Sequence, residues 1–249
     1  MPSLKSRQSQ VENRILAALP RKQYRSLFSK LQPVSLPLSH IVFEQNQLIR
    51  FIYFPVTAMI ALISMGEDGK KGVEVFTVGN EGVVGVSIFL NGDLALNRAI
   101  VQLPGTALRI EAQAFRDILS QRGLLNSILE LYVQVQLTSL SRSAFCNCFH
   151  KVEGRLARWL LLTHDRAQSD TFSMTQEFAA GLLGLHRPAV SIAANALQGA
   201  GLISYSHGKI NVLDREGLEA AACECYRIVG RAYDHLLGDL LPDERSEEP

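Results

Sequence analysis

The chain has one tryptophan, four cysteines and no long uncharged apolar run. Each scarcity excludes something. A membrane-crossing helix takes roughly 20 consecutive apolar residues, and no stretch approaches that. The first residues lack a signal-peptide core, because Lys5, Arg7 and several glutamines interrupt it. The cysteines fall as two Cys-x-Cys pairs, Cys146/Cys148 and Cys223/Cys225, which is no secreted disulfide framework for 249 residues. A soluble cytoplasmic protein with no membrane partner is expected. An excess of one charge is also missing. The net charge is +1, so any basic surface must be local. Basic residues gather before residue 26, and acidic ones form a tail at 239–249. Catalytic signatures are missing too: no nucleophile elbow, P-loop, dinucleotide fingerprint or HExxH spacing occurs. The glycines of Gly79-Asn80-Glu81-Gly82 sit between candidate strands and read as a turn. No enzyme is expected.

Hydrophobic residues, at 47%, are ample for a packed core, and 20% charged residues argue against disorder. Short strand-like runs punctuated by Gly, Pro, Asn and Asp fill the first half, at 41–43, 51–54, 60–64, 73–78, 83–86, 99–103 and 107–110. Glu67-Asp68-Gly69-Lys70 marks a turn between two of them. Many short strands at this spacing favour a sandwich or barrel. From about residue 111 the pattern becomes helical. Leu124, Ile128, Leu131, Val135, Thr138, Arg142, Phe145 and Phe149 recur at alternating steps of four and three, a heptad seam expected to pair two copies of the chain. The alternative is a helix packed only on its own domain.

Residues 175–201, TQEFAAGLLGLHRPAVSIAANALQGAG, read as helix, tight turn, helix. Thr175 suits the N-cap, and Gln176 and Glu177 sit in the first turn. Gly184 suits the turn, and Pro188 fits the opening of the second helix, where a missing N–H costs nothing. Val190, Ala193, Ala194 and Leu197 share one face of that second helix. Arg187, Ser191, Asn195 and Gln198 lie on the other. A helix with such an outer face can enter the major groove, roughly 12 Å wide, with its N-terminal residues reaching bases first. Residues 202–212 then read as strand, turn at Gly208, strand: a wing. His207 and Lys209 are placed there to touch phosphates. The expected DNA-contacting set is Thr175, Gln176, His186, Arg187, Ser191, Asn195, His207 and Lys209. Asp214 caps a final helix running through Leu218, Ala221, Cys225 and Ile228.

These stretches resemble the Crp–Fnr family of transcription regulators over nearly the whole chain. FHKVEGRLARWLL (149–161) is similar to the family's hinge and first DNA-binding-domain helix, LLGLHRPAVSIAANALQGAGLI (182–203) to its recognition segment, and PGTALRIEAQAF (104–115) to the close of its sensory barrel. The resemblance implies an α+β fold: a jelly-roll sensory barrel over 1–123, a dimerisation helix over 124–149, a winged helix-turn-helix over 150–238 and the acidic tail. It also implies a homodimer on a near-palindromic operator in double-stranded DNA, with RNA polymerase as a further partner. Members that bind cyclic nucleotides carry a Gly-Glu pair and an Arg-Ser or Arg-Thr pair. Here Val86 follows Gly85, and Asn97-Arg98 is followed by Ala99, so Gly85, Val86, Asn97 and Arg98 form a degenerate effector pocket. A cyclic nucleotide is not expected there, and the effector is unknown. The iron–sulfur members use N-terminal cysteines, and this chain has none before Cys146. Pro188 stands where a DNA-reading glutamate often follows the recognition arginine.

The cysteines read as packing residues. On one helix Cys146 and His150 share a face while Cys148 points nearly opposite, so one face offers two ligands where zinc takes four. Cys223 and Cys225 have the same shortfall. A thiol switch at the hinge remains open, but no metal or cofactor is expected. The rival to DNA binding is a ligand- or partner-sensing protein whose winged helix serves protein interaction.

Overall fold

A computed structural model describes residues 13–167, 169–238 and 240. The basic stretch up to residue 12 lies outside them, and so does the acidic tail apart from Leu240. Two short helices, α1 (Arg14–Ala17) and α2 (Arg21–Phe28), precede the first strand. Asn13 opens α1. Its side-chain oxygen accepts from Leu16 N–H, and its amide donates to the Pro55 and Gly82 carbonyls. A fully buried amide is thereby satisfied.

Seven strands follow: β1 (Gln32–Leu36), β2 (Ile41–Phe43), β3 (Phe51–Pro55), β4 (Met59–Met65), β5 (Gly72–Val78), β6 (Arg98–Leu103) and β7 (Gly105–Glu111). They form two antiparallel sheets, ordered β1-β7-β3 and β2-β6-β4-β5. The expected barrel is therefore two facing sheets and does not close. The run at 83–86 is no strand either. Val84 makes one isolated bridge to Tyr53, Gly85 takes φ +100°, and Val86–Ile88 turn into a 3-10 helix.

After α3 (Ala112–Leu119) comes the long helix α4 (Leu124–Phe149). The C-terminal part contains α5 (Val152–Ala167), β8 (Thr171–Ser173), α6 (Gln176–Leu183), α7 (Arg187–Gly199), β9 (Ile203–Ser206), β10 (Lys209–Val212), α8 (Arg215–Ala221) and α9 (Cys225–Leu237). The wing carries a third strand, in the order β8-β10-β9, where the sequence indicated only the strand-turn-strand of residues 202–212. The expected final helix is two. The chain leaves α8 at Ala222, which is extended, and restarts as α9 at Cys225.

β4, MIALISM, explains how the two halves meet. Successive side chains of a strand point to opposite faces. Ile60 and Leu62 pack among the jelly-roll side chains, while Met59, Ala61 and Ile63 join Leu156, Trp159, Leu160, Ala179 and Val190 in a second core. The strand is apolar over most of its length because both faces are covered. Each large buried side chain contributes about 1.5–3 kcal/mol, so the C-terminal half is docked on the outer face of the β2-β6-β4-β5 sheet.

The heptad face of α4 is spent largely within the chain. Ile128 and Val135 are buried in the first core, with Leu124 and Leu131 packed against it, and α9 lies along the same helix. Of the predicted seam, Phe145 and Phe149 are the large apolar side chains left exposed. Leu137 and Leu140, outside that seam, are exposed as well. A heptad of side chains shows that a helix has an apolar seam; it does not say which element fills it.

Candidate nucleic-acid interface, effector cleft and hinge

Thr175 caps α6, its hydroxyl accepting from Phe178 N–H at 3.1 Å. α6 ends at Gly184, whose φ of +64° is costly for most residues with a Cβ. A Cβ there would also lie 3.2 Å from Val73 of β5. The turn is thus shaped by the helix pair and by the β5 edge of the sheet beneath it. α7 buries Val190, Ala193, Ala194 and Leu197, and turns His186, Arg187 and Asn195 to solvent with Ser191 half-buried. Gln198 is occupied: its side-chain oxygen accepts from Tyr205 N–H at 2.7 Å and ties α7 to the wing. At the wing tip His207 (φ +49°) and Gly208 (φ +74°) both take positive φ, the signature of a two-residue hairpin turn. His207 bonds the Ser206 hydroxyl, and Lys209 is exposed. Gln176, in the first turn of α6, is half-buried.

Gly85, Val86 and Asn97 line an apolar cleft of about 140 Å³ between the jelly roll and α4, with Phe76, Leu96 and Leu137 among its other walls. Arg98 is not in that lining. Its Nε donates to Glu44 Oε2 at 2.6 Å. No lining residue carries a formal charge, so the cleft has no cation for a cyclic phosphate and does not fit that ligand.

The contacts between the halves left no signal in the sequence. Arg166 donates from Nε and Nη2 to the same Glu81 oxygen, at 3.0 and 2.6 Å, and from Nη1 to the Leu162 carbonyl. Burial works against its charge, but Glu81 more than offsets this and its pKa rises. Trp159, the chain's only tryptophan, donates from Nε1 to Glu74 Oε2 at 3.1 Å. Burial pushes the Glu74 carboxyl up to about 7, against the Trp159 hydrogen bond and the charges of Arg158 and Arg166, which pull it down. A raised carboxyl pKa means that the folded form holds an extra proton near neutrality. Stability linked to Glu74 is therefore fully retained below the ordinary value of 4.5 and declines as pH rises from there through 7. Titrating the Trp159 fluorescence should show a midpoint near pH 7, and Glu74→Gln should remove it. An unchanged midpoint in that variant would assign it to another group.

The four hinge residues that the sequence treated separately come together. Cys146 lies on the last turn of α4 and His150 caps it, while Cys223 and Cys225 flank the start of α9. One ligand-type atom from each lies within 4.8 Å of all the others. The sequence count stayed at two because it took one helix face at a time. Cys148, on the opposite face, is exposed.

The fold and the outward face of α7 define a two-domain regulator, a jelly-roll sensory half joined by a long helix to a winged helix-turn-helix. Residues 33–122 match the cyclic nucleotide-binding domain and residues 154–221 the Crp-like helix-turn-helix domain. Together the matches span well over half of the chain, in the family's order. The chain belongs to the Crp–Fnr family of transcription regulators, which are DNA-binding factors and not enzymes.

Among solved structures it resembles FixK2 from Bradyrhizobium japonicum, with TM-score 0.63 and 14% identity over 78% of this chain and 98% of that one. A putative transcriptional regulator of the family from Eubacterium rectale gives 0.65 and 16% over 82% and 94%. CLP from Xanthomonas campestris, described as responsive to c-di-GMP, gives 0.61 and 14% over 78% and 99%. At these identities the likeness shows the fold. No curated protein gives a significant match. Among the described residues, no helix is long and apolar enough to cross a membrane.

Proposed function

We propose that the protein is a homodimeric, sequence-specific transcription regulator that reads a near-palindromic operator through α7. The effector we assign to the apolar cleft is a small uncharged molecule, not a cyclic nucleotide. The observation that carries DNA reading is the split of α7: four small or aliphatic side chains inward, and Arg187, Ser191 and Asn195 outward from its N-terminal end. His186 joins Arg187 and Ser191 as a leading base contact, Thr175 and Gln176 complete the DNA-contacting set, and His207 and Lys209 of the wing serve phosphate contacts. Two such heads about 34 Å apart meet half-sites one helical turn apart. RNA polymerase is the partner through which a bound dimer would act on transcription.

Selection from a random duplex pool at near-physiological salt tests this. An enriched near-palindrome is the expected result. Arg187→Ala should then cost about 1–3 kcal/mol at one base position and relax preference there. Unchanged affinity and preference would remove Arg187 from the reading role. Ile192, 65% exposed on the outward face, favours a second reading in which α7 docks on a protein. A complete lack of duplex affinity at low salt, where phosphate contacts are strongest, would select that reading.

A further inference from the structure

We propose that Cys146, His150, Cys223 and Cys225 form a tetrahedral site for a thiophilic divalent ion, zinc in the first instance, and that it clamps the hinge between α4 and the DNA-binding domain. Two distant parts of the chain supply the ligands. Cys146 and His150, four residues apart, stand at the end of α4, while Cys223 lies in the break between α8 and α9 and Cys225 opens α9. The backbone holds that break in place, because Cys223 N–H donates to the Gly154 carbonyl at 3.2 Å.

The spacing suits one ion. A tetrahedral zinc with bonds of about 2.3 Å to sulfur and about 2.0 Å to nitrogen places neighbouring ligand atoms roughly 3.5–3.8 Å apart. Cys146 Sγ lies 3.5 Å from Cys223 Sγ, and Cys225 Sγ lies 3.7 Å from His150 Nδ1. Every remaining pair is within 4.8 Å, so small rotamer adjustments close the set.

The surroundings match as well. His150 Nε2 faces Glu224 Oε2 at 3.0 Å. A carboxylate on that nitrogen fixes the tautomer that leaves Nδ1 free to ligate. Three thiolates around a dication leave one negative charge, and Arg142 Nη2 sits 3.4 Å from Cys225 Sγ to offset it. Buried cysteines that merely fill space lie among apolar side chains. These three face one another and belong to neither hydrophobic core.

The site bridges the chain on both sides of the turn from Phe149 to Val152. Occupancy would therefore set the angle at which α5 and the reading helix leave α4. This consequence rests on the DNA-binding reading; the site itself does not.

The test uses the full chain, reduced and purified, titrated with Co²⁺ and then Zn²⁺. One Co²⁺ per chain is expected, with the intense visible and thiolate charge-transfer bands of a tetrahedral site, bleached by one equivalent of Zn²⁺. Saturating Zn²⁺ should raise Tm by about 5–10 °C. Cys223→Ser and Cys225→Ser should each weaken or abolish the spectrum, whereas Cys148→Ser should leave it intact. Lack of stoichiometric metal uptake by the reduced native chain overturns the proposal without appeal to any variant. So does a full cobalt spectrum in the Cys223→Ser/Cys225→Ser double variant. Oxidation of Cys146 and Cys223 to a disulfide, with no metal uptake by the reduced form, would overturn it in favour of a redox pair. Operator affinity is read separately, so a metal site without an effect on DNA would refute only the hinge consequence.

Discussion

Glu81→Ala should lower the stability of the protein by about 3–5 kcal/mol, the cost of leaving a buried charge without its partner. The Glu81 and Arg166 side chains are 11% and 15% exposed. Arg166 spends both Nε and Nη2 on one Glu81 oxygen, so removing that carboxylate orphans both donors. Calorimetry and urea unfolding would read the loss, as a fall in Tm of roughly 6–20 °C for a chain of this size. The double variant Glu81→Ala/Arg166→Met should recover part of it, because no orphan charge then remains. Arg116 and Asp93, 34% and 62% exposed, supply the control: Arg116→Ala should cost less than about 1 kcal/mol. A Glu81 effect no larger than that control would mean that water reaches the pair and that the two halves separate readily.

Leu137→Glu should give a folded monomer with operator affinity reduced about 10²–10⁴-fold, the loss expected when two reading heads no longer act as one ligand. Leu137 is 58% exposed, so a carboxylate there leaves the protomer core intact. It would, however, place like charges across a helix pair. Sedimentation would separate monomer from dimer, and circular dichroism would confirm the fold. Val135→Glu distinguishes the two faces of α4. Val135 is 1% exposed, and a buried unpaired charge there should unfold the sensory half. A dimer that survives Leu137→Glu would locate the subunit contact away from Leu137 and Leu140.

Local signals are legible where chemistry acts over a few residues. Thr175 as N-cap, Gly184 at positive φ and Asp214 capping the next helix each follow from one side chain and its near neighbours. The inward set of α7 follows from a period of 3.6. Expectations fail where distant segments decide the outcome. Val84 and Val86 have strand-forming side chains, yet only Val84 finds a bridging partner and Gly85 turns the chain away. Arg98 is expected in the effector pocket by its position next to Asn97, but it is not in the cleft lining, and its Nε donates to Glu44, 54 residues away.

The helix-turn-helix, its wing and the order of the two domains were determined by sequence alone, because caps, turns and side-chain periodicity are local and leave a legible pattern. Only tertiary structure decided which face of α4 is buried, that the DNA-binding half rests on β4, and that four ligand-type residues converge at the hinge. The reason is physical. A periodic stripe states that a surface must be covered, but its cover is whichever distant element packs there most favourably. Here α9 packs along α4 and brings Cys223 and Cys225 to Cys146 and His150.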